Sequence, residues 1–251
     1  MGEEQFICGA CGSPRVGPLA RGNDRVVCRD CNSISFRQLP SIAELDDRYA
    51  SAWREGRSSA TGATDEEIAE QIAAIAGPLR PEMRCLDWGA GQGALARVLA
   101  NLGCGVCAFE PHGPPKEIAG VKWCSDIDEL AGKFDVIFMV EVIEHLVDPE
   151  GDLAMAKTLL ADDGELIITT PNAQGMNARL GRGRWREVQN PVHLTLFSAD
   201  GLQACAEAAG LQARRRHTDF LDFGHAGIRR LGARGLSRLR LDGSLRMVLV
   251  R

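Results

Sequence analysis

Between residues 84 and 170 the chain alternates short apolar runs with amphipathic stretches. The runs at 85–87, 106–110, 121–124, 136–140 and 166–170 are nearly continuous in hydrophobic side chains, as expected of strands buried on both faces. Between them, 92–101 and 151–161 carry apolar residues at helical spacing. Strands alternating with helices predict a parallel sheet covered on both sides, an α/β domain. Two further runs, 211–217 and 245–250, predict closing strands, the second after an Asp242-Gly243 turn, which brings the sheet to seven. Upstream, DEEIAEQIAAIAG begins at Asp65 and places Ile68, Ile72 and Ile75 on one helical face, with Gly77-Pro78 as a stop.

The first 36 residues follow a different pattern. Short apolar pieces are separated by Gly, Pro and Asn, and Cys8, Cys11, Cys28 and Cys31 fall as C-x2-C, sixteen residues, C-x2-C. Each pair places two sulfurs on one tight turn, eased by Gly12 and Asn32, and two such turns complete a tetrahedral thiolate shell. With all four positions filled by protein, the expected zinc is structural, and so small a core depends on it. The predicted organisation is a zinc ribbon at 1–36, a polar segment at 37–64, and the α/β domain at 65–251. The middle segment reads as a linker or as a lid, with Tyr49 and Trp53 its only aromatics.

Composition narrows the class. The 251 residues are 45% hydrophobic and 25% charged, typical of a globular chain. No apolar stretch reaches membrane-spanning length, and MGEEQFICGACG lacks a basic start and an apolar signal core, so a cytoplasmic protein is expected. Nine cysteines, an odd number, argue for reduced thiols and metal rather than a disulfide framework. The remaining cysteine pair at C-x2-C spacing, Cys104 and Cys107, is read with Cys85 and Cys124 as buried small hydrophobes of strands. The net charge of −5 divides unevenly: residues 172–251 hold 14 Arg and no Lys against 6 acids, +8, which leaves −13 upstream. An acidic whole argues against a broad phosphate footprint, whereas the basic last third suits a small anionic acceptor or is a solvated face.

The segment CLDWGAGQGALARVLA reads strand, glycine turn, helix, and it presents backbone N–H groups to an anionic ligand. Its G-A-G-Q-G-A core also fits a dinucleotide site. Asp87, ahead of the turn, would repel a pyrophosphate but meet an ammonium group, while Glu110 at the end of the next strand suits two ribose hydroxyls. An adenosine bearing an amino acid satisfies both, which is S-adenosylmethionine.

At these residues the chain resembles class I S-adenosylmethionine-dependent methyltransferases, from about residue 65 onward. The resemblance rests on CLDWGAGQG, FEP at 109–111, CSDIDEL at 124–130 and, most specifically, FDVIFMVEVIEHLVDP at 134–149. The last is similar to the subgroup of ubiquinone-biosynthesis O-methyltransferases and natural-product or sugar methyltransferases, as are TTPN at 169–172 and NPVHLTLFS at 190–198. It implies a Rossmann-like seven-stranded sheet. It further implies that Asp87, Gly89, Ala90, Gly91 and Glu110 bind cofactor, that Asp126 or Ile127 meets the adenine, and that Glu141, Glu144 and His145 lie at the active-site end of the fourth strand. In some relatives such Glu and His residues bind a divalent ion that orients a catechol-like substrate. Two departures stand out: Trp88 replaces a smaller residue, either narrowing the pocket or packing under the loop, and Gln92 replaces a Thr or Ser.

In the excursion at 173–197, where this subgroup builds its acceptor pocket, His193 is the first candidate base and His145, beside Glu144, the second. A structural hydrogen bond is the other reading of His193. Arg179, Arg182, Arg184 and Arg186 suit a phosphate or carboxylate, or simply face solvent. The expected reaction is methyl transfer to a small molecule: a sugar, a phenol or a lipid intermediate. Two alternatives stand beside it. A ribosomal-RNA methyltransferase would use the ribbon to bind RNA, but residues 1–36 hold four Arg and four acids, a neutral balance. A non-catalytic module would keep only the fold, which the intact Asp87, Gly89, Gly91 and Glu110 argue against.

Overall fold

The computed structural model describes residues 6–41, 43–45, 47, 65–112, 117–215, 232, 235–239 and 241–251. Most of the predicted linker or lid, with Tyr49 and Trp53, lies outside the described residues, as do His217 and His225.

Eleven strands are described: β1 (Val16–Pro18), β2 (Arg25–Cys28), β3 (Ile34–Phe36), β4 (Arg84–Trp88), β5 (Gly105–Phe109), β6 (Val121–Cys124), β7 (Phe134–Val140), β8 (Leu160–Pro171), β9 (Thr195–Leu196), β10 (Gln212–Arg215) and β11 (Ser244–Val250). The helices are α1 (Asp65–Ala73), α2 (Ala94–Asn101), α3 (Pro149–Leu159), α4 (Met176–Gly181), α5 (Arg186–Gln189) and α6 (Ala199–Ala208).

The larger sheet has the order β10-β11-β8-β7-β4-β5-β6. Its pairs from β8 through β6 are parallel, and β11 closes antiparallel on β8 with β10 antiparallel beyond it. The expected seven-stranded sheet is therefore observed. The chain runs outward from β4 through β5 to β6, then returns to place β7 on the other side of β4. This reversal opens a crevice at the carboxyl ends of β4 and β7, where ligands of open α/β sheets bind.

Local chemistry accounts for the helix ends. After α1 a single 3-10 turn, Ala74–Ala76, continues the helical path and stops as expected at Gly77, whose φ of 80° is unfavourable for other residues. The second begins two residues later than its pattern, because Gly93 at φ 76° is its N-cap. The third begins two residues earlier: Asp148 accepts a hydrogen bond from the Gly151 N–H, and Pro149 occupies the first turn.

The ribbon strands form a smaller sheet in the order β1-β2-β3-β9, so its fourth strand comes from the excursion after β8. Cys8, Ala10, Cys28 and Cys31 share one hydrophobic core with Phe197, Leu202 and the inner face of the large sheet. Packing is thus continuous across residue 36.

Candidate functional site

The crevice between β4 and β7 has a glycine-lined side and an acid-histidine side. On the first, Gly89, Gly91 and Gly93 all have positive φ, at 76°, 54° and 76°. The turn is pinned by the N–H groups of Gly89 and Ala90, which both donate to the Phe109 carbonyl at 2.9 and 3.0 Å. A Cβ at Gly89 would lie 2.5 Å from Val142 Cγ2, so a side chain is excluded where the two halves of the crevice meet. At Gly91 a Cβ would meet nothing within 4 Å, and the turn there borders open space.

Glu110, buried directly after β5, accepts from the Gly91 N–H at 3.0 Å and the His112 N–H at 3.3 Å. Asp87 is also buried, and its Oδ2 accepts from the Ala96 N–H at 3.0 Å in the first turn of α2. Burial pushes the Asp87 carboxyl up to about 7, against the Ala96 hydrogen bond and with help from nearby Glu110. Trp88 is 2% exposed and packs edge-on to Phe109 at 5.7 Å, which places it under the loop. Asp126 caps the turn Ile127–Glu129, its carboxylate accepting from the Asp128 N–H at 3.0 Å, with Ile127 half-buried beside it.

The second side begins where β7 ends. Glu141 has φ 54°, a left-handed conformation costly for a non-glycine residue and typical of functional turns. Thr169 Oγ1 donates to Glu141 at 3.3 Å, and Thr170 Oγ1 donates to Glu144 Oε2 at 2.9 Å. Glu144 is fully buried, and burial pushes its carboxyl up to about 8. Its other oxygen, Oε1, has no hydrogen-bond partner and lies 3.9 Å from His145 Nε2.

His145 Nδ1 donates to the Val192 carbonyl at 2.9 Å, since a carbonyl can only accept, so in the neutral ring Nε2 is the basic nitrogen. His193 packs edge-on to His145 with centroids 4.7 Å apart. Asn190 Oδ1 accepts from the Val192 N–H at 3.2 Å, which orients the amide so that Nδ2 donates to His193 Nε2 at 2.9 Å. Neutral His193 therefore carries its proton on Nδ1, 3.4 Å from Glu187 Oε2. Burial, followed by the proximity of His145, Arg25 and Arg186, holds His193 down to about 3, and burial lowers His145 as well.

The structure thus brings Glu144, His145 and His193 together, one ligand atom of each within 4.8 Å of the others. Arg179, Arg182, Arg184 and Arg186 are all exposed; Arg179 donates to the Gln174 carbonyl and Arg186 pairs with Glu187 at 2.9 Å. Glu187 and Asn190 did not emerge from the sequence. The available signal was an acid inside an Arg-rich stretch and an Asn three residues before the histidine.

In the ribbon, the Sγ atoms of Cys8, Cys11, Cys28 and Cys31 lie within 4.8 Å of one another. Two edges of this tetrahedron, Cys8–Cys31 and Cys11–Cys28, measure 3.7 Å. Four sulfurs about 2.3 Å from a central zinc would have edges of about 3.8 Å, so the donor set fits the ion. The two turns are alike, with Gly12 at φ 68° and Asn32 at φ 61°, and the N–H groups of Ala10 and Asp30 aimed at Cys8 and Cys28 sulfur, each at 3.4 Å. Cys85, Cys104, Cys107 and Cys124 are buried in or beside the large sheet.

Residues 61–215 match the family described as methyltransferase domain. The ubiquinone biosynthesis O-methyltransferase of Bradyrhizobium diazoefficiens is 24% identical over 155 residues, 51% of this chain and 61% of that protein. The same-named enzyme of Cereibacter sphaeroides is 32% identical over 124 residues, 42% of this chain and 50% of that one. The chain therefore spans about three-fifths or less of the length of these curated relatives. Among solved structures, the 1,6-didemethyltoxoflavin-N1-methyltransferase of Burkholderia thailandensis, with S-adenosylhomocysteine bound, superposes with a TM-score of 0.57 at 17% identity. That match covers 94% of this chain and 98% of that one, and it shows a shared fold.

Proposed function

The chain belongs to the methyltransferase domain family, and on that premise we propose that it transfers a methyl group from S-adenosylmethionine to a small-molecule acceptor. The observation that carries this reading is the two-sided crevice: a glycine turn with Glu110 on one side, and Glu144, His145 and His193 on the other, meeting at Gly89 and Val142. S-adenosylmethionine supplies the electrophilic methyl on its sulfonium. Glu110 would exchange its bonds to Gly91 and His112 for the ribose hydroxyls. The glycine turn would lie against the amino-acid end, and Asp126 and Ile127 beside the adenine.

The acceptor would sit against Glu141, Glu144 and the two histidines. Here His145 is the better base, because its basic nitrogen Nε2 faces Glu144, whereas His193 Nε2 is engaged by Asn190. Burial keeps His145 neutral near pH 7, the form able to take a proton from an acceptor hydroxyl, and the bond from its Nδ1 to the Val192 carbonyl would hold the ring in place as it does so. The chain contributes alignment and exclusion of water for an in-line displacement. Cys8, Cys11, Cys28 and Cys31 would hold a structural zinc in a reducing, cytoplasmic setting. The test is incubation with methyl-labelled S-adenosylmethionine and panels of sugars, phenols and quinone precursors, followed by mass spectrometry. Label in a small acceptor supports the reading; label only in RNA overturns it.

A second reading is favoured by the partnerless, buried Oε1 of Glu144 opposite His145 Nε2. Glu144 and His145 Nε2 would then hold a divalent cation, joined by His193 once it gives up its bond from Asn190 or its Nδ1 proton, and the ion would orient and acidify an acceptor hydroxyl. Calorimetric titration with Mn²⁺ checks it: binding in the wild type that disappears in Glu144→Gln supports the ion, and absence of binding removes it.

A further inference from the structure

The ribbon is joined to the acceptor wall by a set of contacts that a tethered module would not need. Ile34 and Ser35 of β3 pair with Leu196 and Thr195 of β9. The Ser198 hydroxyl donates to the Cys31 carbonyl and its backbone N–H donates to Ser33 Oγ, so the knuckle itself is bonded to the start of α6. Glycines permit the approach: a Cβ at Gly9 would lie 2.7 Å from Thr195 Oγ1, and one at Gly201 would lie 2.1 Å from Ser33 Oγ.

Within this interface Arg25, three residues before Cys28, is 1% exposed. Its guanidinium lies 3.4 Å over the Phe36 ring. From there its fork reaches two carbonyls, His193 O at 2.5 Å and Asn190 O at 2.9 Å. A buried guanidinium loses hydration that only fixed acceptors replace, so these two bonds are a strong constraint on the turn 190–193. Both imidazoles of the wall depend on that turn. His145 donates to the Val192 carbonyl, and His193 accepts from the Asn190 amide.

We propose that Arg25 is a positioning residue for the acceptor site: the ribbon uses it to clamp the turn 190–193 and so fixes the orientation and tautomer of His145 and His193. The assignment of these histidines to acceptor chemistry rests on the functional reading above; the clamp itself does not. Its chemical signature is specific. Both rings are held with the proton on Nδ1, the tautomer that unconstrained imidazole disfavours, so two of the five histidines should display it.

The experiment is long-range ¹⁵N–¹H correlation on the full chain labelled at histidine, with the two signals assigned from His145→Gln and His193→Gln. Arg25→Lys keeps the charge but lacks the rigid planar fork that fixes two carbonyls at once. It should cut the Nδ1–H signal of His193 at least twofold in favour of the other tautomer and shift that of His145. Zinc content should stay at one per chain and S-adenosylhomocysteine affinity within about twofold. Asn190→Ala should release His193 in the same way. If Arg25→Lys does not fold, Phe36→Leu, which removes the ring beneath the guanidinium, takes its place with the same expected result. Wild-type signals in the folded clamp variant overturn the proposal, as does finding the Nε2–H tautomer at both rings of the native protein. Failure of the wild type to bind S-adenosylhomocysteine would instead remove the functional reading, and the tautomer measurement would still decide the clamp.

Discussion

The two sides of the crevice are built in opposite ways. The glycine-lined side, which we assign to the cofactor, is local: Asp87 to Ala96 and Glu110 belong to one strand-turn-helix-strand unit, and the bonds that shape it run between neighbouring elements. The acid-histidine wall, which we assign to the acceptor, is assembled from four stretches far apart in sequence: Arg25, residues 141–145, Thr169 with Thr170, and residues 187–193. A local unit can be kept while its partner wall diversifies, which is how one cofactor fold serves many acceptors. On the clamp proposed above, the wall and not the turn would depend on the ribbon.

The largest expected effect comes from removing the zinc proposed for the ribbon. Cys28→Ser should release zinc, and with it on the order of 10 kcal/mol of binding free energy on which the ribbon's fold depends. The wall should lose order and methyl transfer should be abolished, while S-adenosylhomocysteine binding, measured by calorimetry, falls no more than a few-fold. Loss of cofactor binding in the same variant would show that the two sides are one cooperative unit. Next in size, Glu110→Ala should weaken S-adenosylhomocysteine binding by roughly 2 to 4 kcal/mol, about 30-fold to several hundred-fold, with the melting temperature of the ligand-free protein nearly unchanged. Unchanged affinity would break the cofactor assignment. A smaller contrast lies within the turn: both Gly89→Ala and Gly91→Ala oppose a positive φ, costing about 1 kcal/mol, but only Gly89→Ala also collides with Val142. Chemical denaturation should find Gly89→Ala less stable than Gly91→Ala by roughly 1 to 3 kcal/mol.

The same contrast explains what the sequence made legible. Strands β4, β5 and β7 are apolar runs with sharp ends, and the glycine turn is a contiguous motif, so period and spacing locate them, whereas β8 starts at Leu160, ahead of its apolar run at 166–170, through the polar Asp162 to Glu165. The cysteine knuckles were equally legible, down to the Gly12 and Asn32 that take left-handed φ, because paired C-x2-C turns carry their own spacing. Strand β9 is two residues long, too short for any periodicity, yet it carries the ribbon's attachment. In the sequence Arg25 is only one of four Arg in a charge-neutral stretch, and only the fold reveals the ring and carbonyls that make its burial tolerable. The helix that begins at Pro149 starts two residues ahead of its apolar pattern, and the Asp-Pro pair that caps it is the readable signal of that start.

The smallest effect concerns a residue that the two sides would use differently. Asp87 was expected to meet the cofactor's ammonium, and the structure gives it a second occupation, accepting the Ala96 N–H in the first turn of α2. With a folded pKa of about 7 against 3.8 in the unfolded chain, the folded state retains a proton that the unfolded state loses between those values. Stability should therefore fall as pH rises from about 4 to about 7 and then level off, so above pH 7 the buried carboxylate is a net cost. Asp87→Asn keeps an oxygen for the Ala96 N–H and removes that charge. Denaturation of the cofactor-free protein should find Asp87→Asn more stable than wild type at pH 8 by on the order of 2 kcal/mol, and little different at pH 4. Calorimetry then separates the two occupations. If Asp87 meets the ammonium, the more stable variant should bind S-adenosylhomocysteine at least tenfold more weakly at pH 8. If its affinity equals that of wild type, Asp87 serves the helix alone, and the amino-acid end of the cofactor is held by the glycine turn without it.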